Sequence, residues 1–276
     1  MIHLNQNNIK VSAINGIFSV PNLDSFVLKN LLEVTDEPDQ AAEYFPTNIT
    51  RLDISSSPTA TFNSCALLAR HPALDSLSWI TYSYQDPQWH CSDISQTLAP
   101  LKRRLVNLRL AHQSLKAPAP GTFPSQPDGD AHMDFSDFTA LRVLDIDEYL
   151  AFPRRKPIFP NDLYDRLPPS LERLTIYFDS RIYNNKASFW DTLDNHDWLI
   201  SLARRPSTKF KALSSITLIE TREIARGHSE SELDFATIVN DAGWKEWEYS
   251  MDLKDAFQGS GVRLRVMTLA VVHEEE

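Results

Sequence analysis

The chain is expected to form an α/β solenoid, a horseshoe of irregular repeats with a parallel concave sheet and helices on the convex side. Three observations predict it. Eight segments fit one pattern, apolar-x-x-apolar-x-apolar: Leu23/Phe26/Leu28, Ile49/Leu52/Ile54, Leu74/Leu77/Trp79, Leu105/Leu108/Leu110, Leu141/Leu144/Ile146, Leu171/Leu174/Ile176, Leu213/Ile216/Leu218 and Leu264/Met267/Leu269. The residues between the apolar ones are mostly polar, as in a strand with one wet face, whereas doubly covered parallel strands are apolar throughout. The pattern starts lie 25 to 51 residues apart, room for the crossover that a parallel pair requires.

The last two apolar positions of each unit are two apart and share one face of a strand. The first lies three before the middle one and points inward only if the chain bends as it enters. Pro21, Pro46, Pro72 and Pro169 stand just before such entries, where they hold the preceding residue extended and remove no ladder bond. A three-position pattern alone arises by chance on the order of five times in a chain this long. Its weight comes from the polar residues within, the prolines before and the helical signals between.

Those signals come in order. Residues 65–70 (CALLAR) end just before the third strand, and Ile94, Leu98 and Leu101 form an i, i+4, i+7 stripe before the fourth. Asn195 is placed to cap a helix presenting Trp198, Leu199 and Leu202. Leu253 and Phe257 form an i, i+4 pair closed by Gly259 and Gly261. Two insertions interrupt the array: 115–134, rich in Pro, Gly, Ser and Asp and read as a mobile surface loop, and the Pro-flanked loop 152–160. The stretch 219–248 reads as a polar connection followed by an extra helical piece bearing Phe235, Ile238, Trp244 and Trp247. Residues 1–276 are thus one solenoid domain.

Composition narrows the function. A net charge of −10 opposes nucleic acid and anionic membranes as partners. No apolar run approaches the ~20 residues of a membrane span. The opening MIHLNQNNIK is too polar for a signal peptide, so the expected compartment is cytoplasmic or nuclear. Cys65 and Cys91 are read as buried free thiols.

The layout resembles the leucine-rich-repeat proteins, specifically the irregular repeats of fungal F-box/leucine-rich-repeat proteins. LPPSLERLTI at 167–176, FTALRVLDI at 138–146, LISLARRPSTKFKALSSITL at 199–218 and AFQGSGVRLRV at 256–266 carry that resemblance. It implies a protein–protein interaction module, the substrate-recognition part of a ubiquitin ligase. The F-box itself is not found, since only 22 residues precede Leu23. Regular repeats place Asn or Cys three positions after the last apolar residue. Here Leu31, Ser57, Tyr82, Gln113, Tyr149, Asp179 and Thr221 stand there, so the turns must be stabilised in another way.

Candidate binding residues are the polar positions of the open face: Arg51, Asp53, Asn107, Arg109, Asp145, Arg173 and Thr175. Their sign alternates from Asp53 to Arg109, Asp145 and Arg173, which suits a partner of mixed charge. Eight strands about 4.8 Å apart span about 34 Å, a strip too small for the usual ~800 Å² per partner, so the insertion loops should join in. No catalytic residue, cofactor or metal is expected. Asp145, Asp147 and Glu148 have the chemistry of a divalent-cation site but read as a solvated acidic turn. His90 and Cys91 lack zinc spacing, and no phosphate loop or nucleophile elbow occurs. Trp89 and Trp190, in connections, are candidate recognition aromatics, and Arg154-Arg155-Lys156 a candidate contact for an acidic segment. The expected partner is a protein, possibly one destined for ubiquitylation, bound by a monomer. Two other readings use the same pattern: a β-solenoid carbohydrate-active enzyme, and a structural scaffold.

Overall fold

In a computed structural model, residues 1–5, 8–10, 20, 22–31, 33–35, 48–56, 73–83, 91–114, 133–152, 160–179, 197–204, 209–224, 244–246 and 251–272 are described. The strands are β1 (Ile2–Asn5), β2 (Asn8–Lys10), β3 (Ser25–Leu31), β4 (Glu33–Thr35), β5 (Arg51–Ser56), β6 (Ser76–Ser83), β7 (Asn107–Ser114), β8 (Val143–Asp147), β9 (Arg173–Asp179), β10 (Ser215–Ile224), β11 (Trp244–Glu246) and β12 (Arg263–Val272). The helices are α1 (Cys91–Leu98, extended by a 3₁₀ turn Ala99–Leu101), α2 (Glu148–Ala151), α3 (Pro160–Arg166), α4 (Asp197–Arg204) and α5 (Met251–Gln258). One open sheet runs β1-β3-β5-β6-β7-β8-β9-β10-β12-β11, and β2 pairs with β4 apart from it. Every pairing in the large sheet is parallel except β11 with β12. From β1 to β10 its strands follow chain order, the solenoid-like arrangement that the constant pattern predicts.

One backbone device repeats at each strand entry. The carbonyl of Asp24 accepts the N–H groups of both Thr50 and Arg51, and Thr50 those of Asp75 and Ser76. Asp75, Val106, Arg142 and Glu172 each accept a pair from the next repeat in the same way, and Ser214 accepts Arg263. Two successive amides converging on one oxygen require a bent chain. That bend brings the first apolar residue, three before the middle one, to the same side as the other two. Leu23, Ile49, Leu74, Leu105, Leu141, Leu171 and Leu213 are all buried beside their middle and last partners.

Regular repeats would turn where this chain is still extended. Leu31, Tyr82, Gln113, Asp179 and Thr221 lie within strands, and Tyr149 lies in α2. An Asn ladder has no turn to cap at the strand positions, and the stitching sits at the entries instead.

The last unit departs from its expected register. Leu264 pairs with Ile216 and Val266 with Leu218, so Leu264 takes the middle position and Val266 the last, three residues earlier than the Leu264/Met267/Leu269 assignment. Gly261 then occupies the bend, with φ at +75°, and Val262 is buried beside it. Ser260 Oγ accepts the Val262 N–H at 3.0 Å and donates to Phe257 O at 2.9 Å, tying the end of α5 to this entry. Substituting Gly261→Ala should lower stability by about 1 kcal/mol through backbone strain alone, since an added Cβ meets nothing within 4 Å. Gly259→Ala, with equal space and no left-handed φ, should change it far less. Equal midpoints for the two variants in urea would reject this register.

Other expectations change as well. Trp244–Glu246 is a short antiparallel strand on the edge rather than a helix, and residues 219–224 continue β10 rather than starting a connection. At the insertion boundaries, Met133 is buried and its N–H reaches Leu150 O at 3.1 Å. Phe152 is buried between Phe178, at 6.4 Å, and Trp198, at 5.0 Å, between ring centres. Pro160 opens α3, a favourable first helical position. The remainder of both loops, Cys65, residues 65–70, Trp89, Trp190, Arg154-Arg155-Lys156 and Asn195 lie outside the described residues.

The helical stripes land as expected: Ile94, Leu98, Leu101, Trp198, Leu199, Leu202, Leu253 and Phe257 join the strand residues in one core. Lys209 Nζ donates to Tyr164 O and Asp165 O, both at 2.8 Å, closing the carbonyl end of α3. Among the described residues, no helix is long and apolar enough to cross a membrane.

Candidate functional site

The face opposite the core is organised by register into three rows. The entry row carries Ser25, Arg51, Ser76, Asn107, Val143, Arg173, Ser215 and Arg263. The second row carries Val27, Asp53, Ser78, Arg109, Asp145, Thr175, Thr217 and Arg265. The third has Ser55, Ile80 and Ala111 on one side and Asp147, Tyr177, Ile219 and Met267 on the other. In this third row, which the six-residue pattern stops short of, Ala111, Asp147 and Ile219 are buried and Ser55, Ile80, Tyr177 and Met267 are part-exposed.

All seven predicted residues fall on this face, but not as one alternating line. Arg51, Asn107 and Arg173 share the entry row, while Asp53, Arg109, Asp145 and Thr175 share the second. Arg51 and Asp53, two apart on β5, pair with each other at 3.2 Å, leaving little net charge there. Arg109 and Asp145 sit directly opposite across β7 and β8. Arg109 reaches past β8, its guanidinium carbon 5.5 Å from the centre of the Tyr177 ring. Its Nε is shielded from water without a hydrogen-bond partner among the described residues. Burial pushes the Tyr177 hydroxyl above its ordinary value; Arg109 pulls it back, while Asp145 and Asp147 push it further up.

Tyr177 was not among the expected residues; its signal is the alternation Ile176-Tyr177-Phe178, which carries the strand beyond the repeat pattern. Arg263 and Arg265 were missed because the last register was displaced. Both are exposed and align with Ser215 and Thr217.

The acidic turn is not solvated. Asp147 is 6% exposed and Glu148 7%, because the chain passes from β8 directly into α2 and Phe152, four residues after Glu148, is drawn into the core. Among the described residues, no three His, Cys, Asp or Glu side chains are grouped to hold a metal ion. Cys91 is a free thiol, pushed up to about 11 chiefly by burial, with Arg166 opposing. Such a thiol is nearly all protonated at neutral pH and a poor nucleophile.

No protein-family model, curated protein or solved structure matches the chain.

Proposed function

We propose that this chain is a non-enzymatic protein-docking module, a leucine-rich-repeat-like horseshoe that receives its partner on the open face of the sheet. One observation carries the reading. A sheet of parallel strands in chain order packs every described helix against one face, leaving three lateral rows of side chains on the other. The rows cross eight strands, seven gaps of about 4.8 Å or about 34 Å, and the two intervals of about 6.6 Å between rows span about 13 Å. That strip, on the order of 450 Å², is about half of one side of a standard interface, so the partner must also engage residues beyond the rows, and part-exposed Ile80, Tyr177 and Met267 supply apolar area within them. The partner is a protein, bound by a monomer in the cytoplasm or nucleus. A role as the recruiting part of a ubiquitin ligase rests on the resemblance to F-box/leucine-rich-repeat proteins.

The test exchanges charge within the second row. The double variant Arg109→Glu/Asp145→Arg keeps the net charge and should reduce capture of the retained protein from native extract at least tenfold, measured by quantitative mass spectrometry. Asp252→Lys, exposed on α5, should leave it unchanged. An identical set of retained proteins for all three chains would overturn docking on this face.

A further inference from the structure

The open face is electrically uneven. Toward β5–β8 each arginine has a carboxylate beside it: Arg51 pairs with Asp53, and Arg109 faces Asp145. Toward β9, β10 and β12 the two polar rows hold Arg173, Thr175, Ser215, Thr217, Arg263 and Arg265, with no acidic residue among them. The nearest carboxylate at the entry, Glu172, is engaged by Arg142 at 3.3 Å. Glu220 is fully buried on the core side. Arg173 and Arg263 are exposed, and neither makes an ion pair among the described residues. A cluster of arginines has thus been kept together on a chain of net charge −10.

We infer that this end of the face binds a peptide segment in the polyproline II conformation carrying acidic side chains three positions apart. The inference rests on the docking reading above and names the chemistry of the partner. Arg173 and Arg263 flank Ser215 at the same level, two strand spacings or about 9.6 Å apart. In a polyproline II segment, with three residues per turn and a rise of about 3.1 Å, side chains i and i+3 share one face about 9.3 Å apart, so one acid meets each guanidinium when the peptide crosses the strands. Ser215 lies between the two contacts and offers a hydroxyl to the peptide backbone. Arg265 lies two residues beyond Arg263 on the same face, about 6.6 Å along the strand. Guanidinium is the cation suited to this task, since its planar fork takes a carboxylate or a phosphate through two donors. A long polyanion such as a nucleic acid fits poorly, because the chain's overall charge repels it beyond the patch.

The test uses fluorescence anisotropy with a fluorescein-labelled Gly/Ser peptide bearing two glutamates three positions apart, terminally blocked, and the full chain at low salt. The glutamate peptide should bind at least tenfold more tightly than its glutamine counterpart. Arg173→Glu and Arg263→Glu should each weaken it at least tenfold, and Asp252→Lys should not. Moving the glutamates to adjacent positions should weaken it severalfold. A peptide with phosphoserine at both sites that binds more tightly, with the same dependence on Arg173 and Arg263, assigns phosphate as the natural acid. Equal binding of glutamate and glutamine peptides, indifference to the two arginine variants, or tighter binding of a single-stranded oligonucleotide of equal charge would overturn the inference. If the peptide fails while capture from extract still depends on Arg109 and Asp145, the arginine patch alone is lost. If capture is also indifferent, the face is.

Discussion

Replacing Trp79 by alanine should destabilise the chain by about 3–5 kcal/mol, the range for deleting a buried aromatic side chain. Trp79 is 0% exposed and is among the largest fully buried side chains. On β6 it stands opposite Ile54 of β5 and Leu110 of β7, so the cavity would open between repeats as well as beneath the sheet. In a stacked array the interfaces between repeats carry a large share of the stability. The loss should therefore spread to both neighbours. Urea unfolding followed by far-UV circular dichroism should show a lower midpoint, or a split transition if the array parts at β6. Met251→Ala, at a residue 67% exposed, should stay within about 0.5 kcal/mol of the parent. A loss below about 1 kcal/mol for Trp79→Ala would mean that the third repeat does not close over this side chain.

The reach of the sequence is clearest where apolar and polar residues alternate. Leu108-Arg109-Leu110 and Leu174-Thr175-Ile176 specify strand, register and facing together, because a slip of one residue would bury the arginine and expose the leucines. The bent entry was also legible, as the leucine three positions earlier had no other way in. The last repeat was not. Val262, Leu264 and Val266 alternate on one parity and Met267, Leu269 and Val271 on the other, so an apolar pattern could be laid on this strand in two registers. Gly261, which takes the bend through a positive φ, has no side chain for an apolar pattern to find. The displaced register hid Arg263 and Arg265, and with them the uneven charge of the face. The helices α2 and α3 were hidden for another reason. A helix of four or seven residues shows at most two turns of periodicity, and these hold only because Leu150, Leu163 and Phe152 find the core. Burial of Asp147 and Glu148 follows from that tertiary choice and has no local signature, since both residue types usually mark solvent.

Arg166 should matter almost as much as Trp79, for a different physical reason. It ends α3 with a side chain 7% exposed. Nη1 donates to Met133 O at 3.0 Å and Nη2 to Ala151 O at 2.7 Å, while its own carbonyl accepts the Phe135 N–H at 2.8 Å. One residue thus fastens the segment 133–135, α2 and α3, none of which repeats elsewhere in the array. Hydrogen bonds from a charged group contribute about 1.5–3 kcal/mol each, and the carbonyls left behind would be buried without donors. Arg166→Met should therefore lose about 3–5 kcal/mol in urea unfolding, with faster amide exchange at Met133 and Phe135. Arg166→Lys keeps the charge but not the fork that spans two carbonyls, and should recover less than half. The Cys91 thiol provides a second readout. Arg166 holds it below where burial alone would place it, so its titration should move further up in the methionine variant than in the lysine variant. Full recovery of stability by lysine would show that charge alone matters here. Unchanged exchange at Met133 and Phe135 would show that the 133–135 segment is held by something other than this guanidinium.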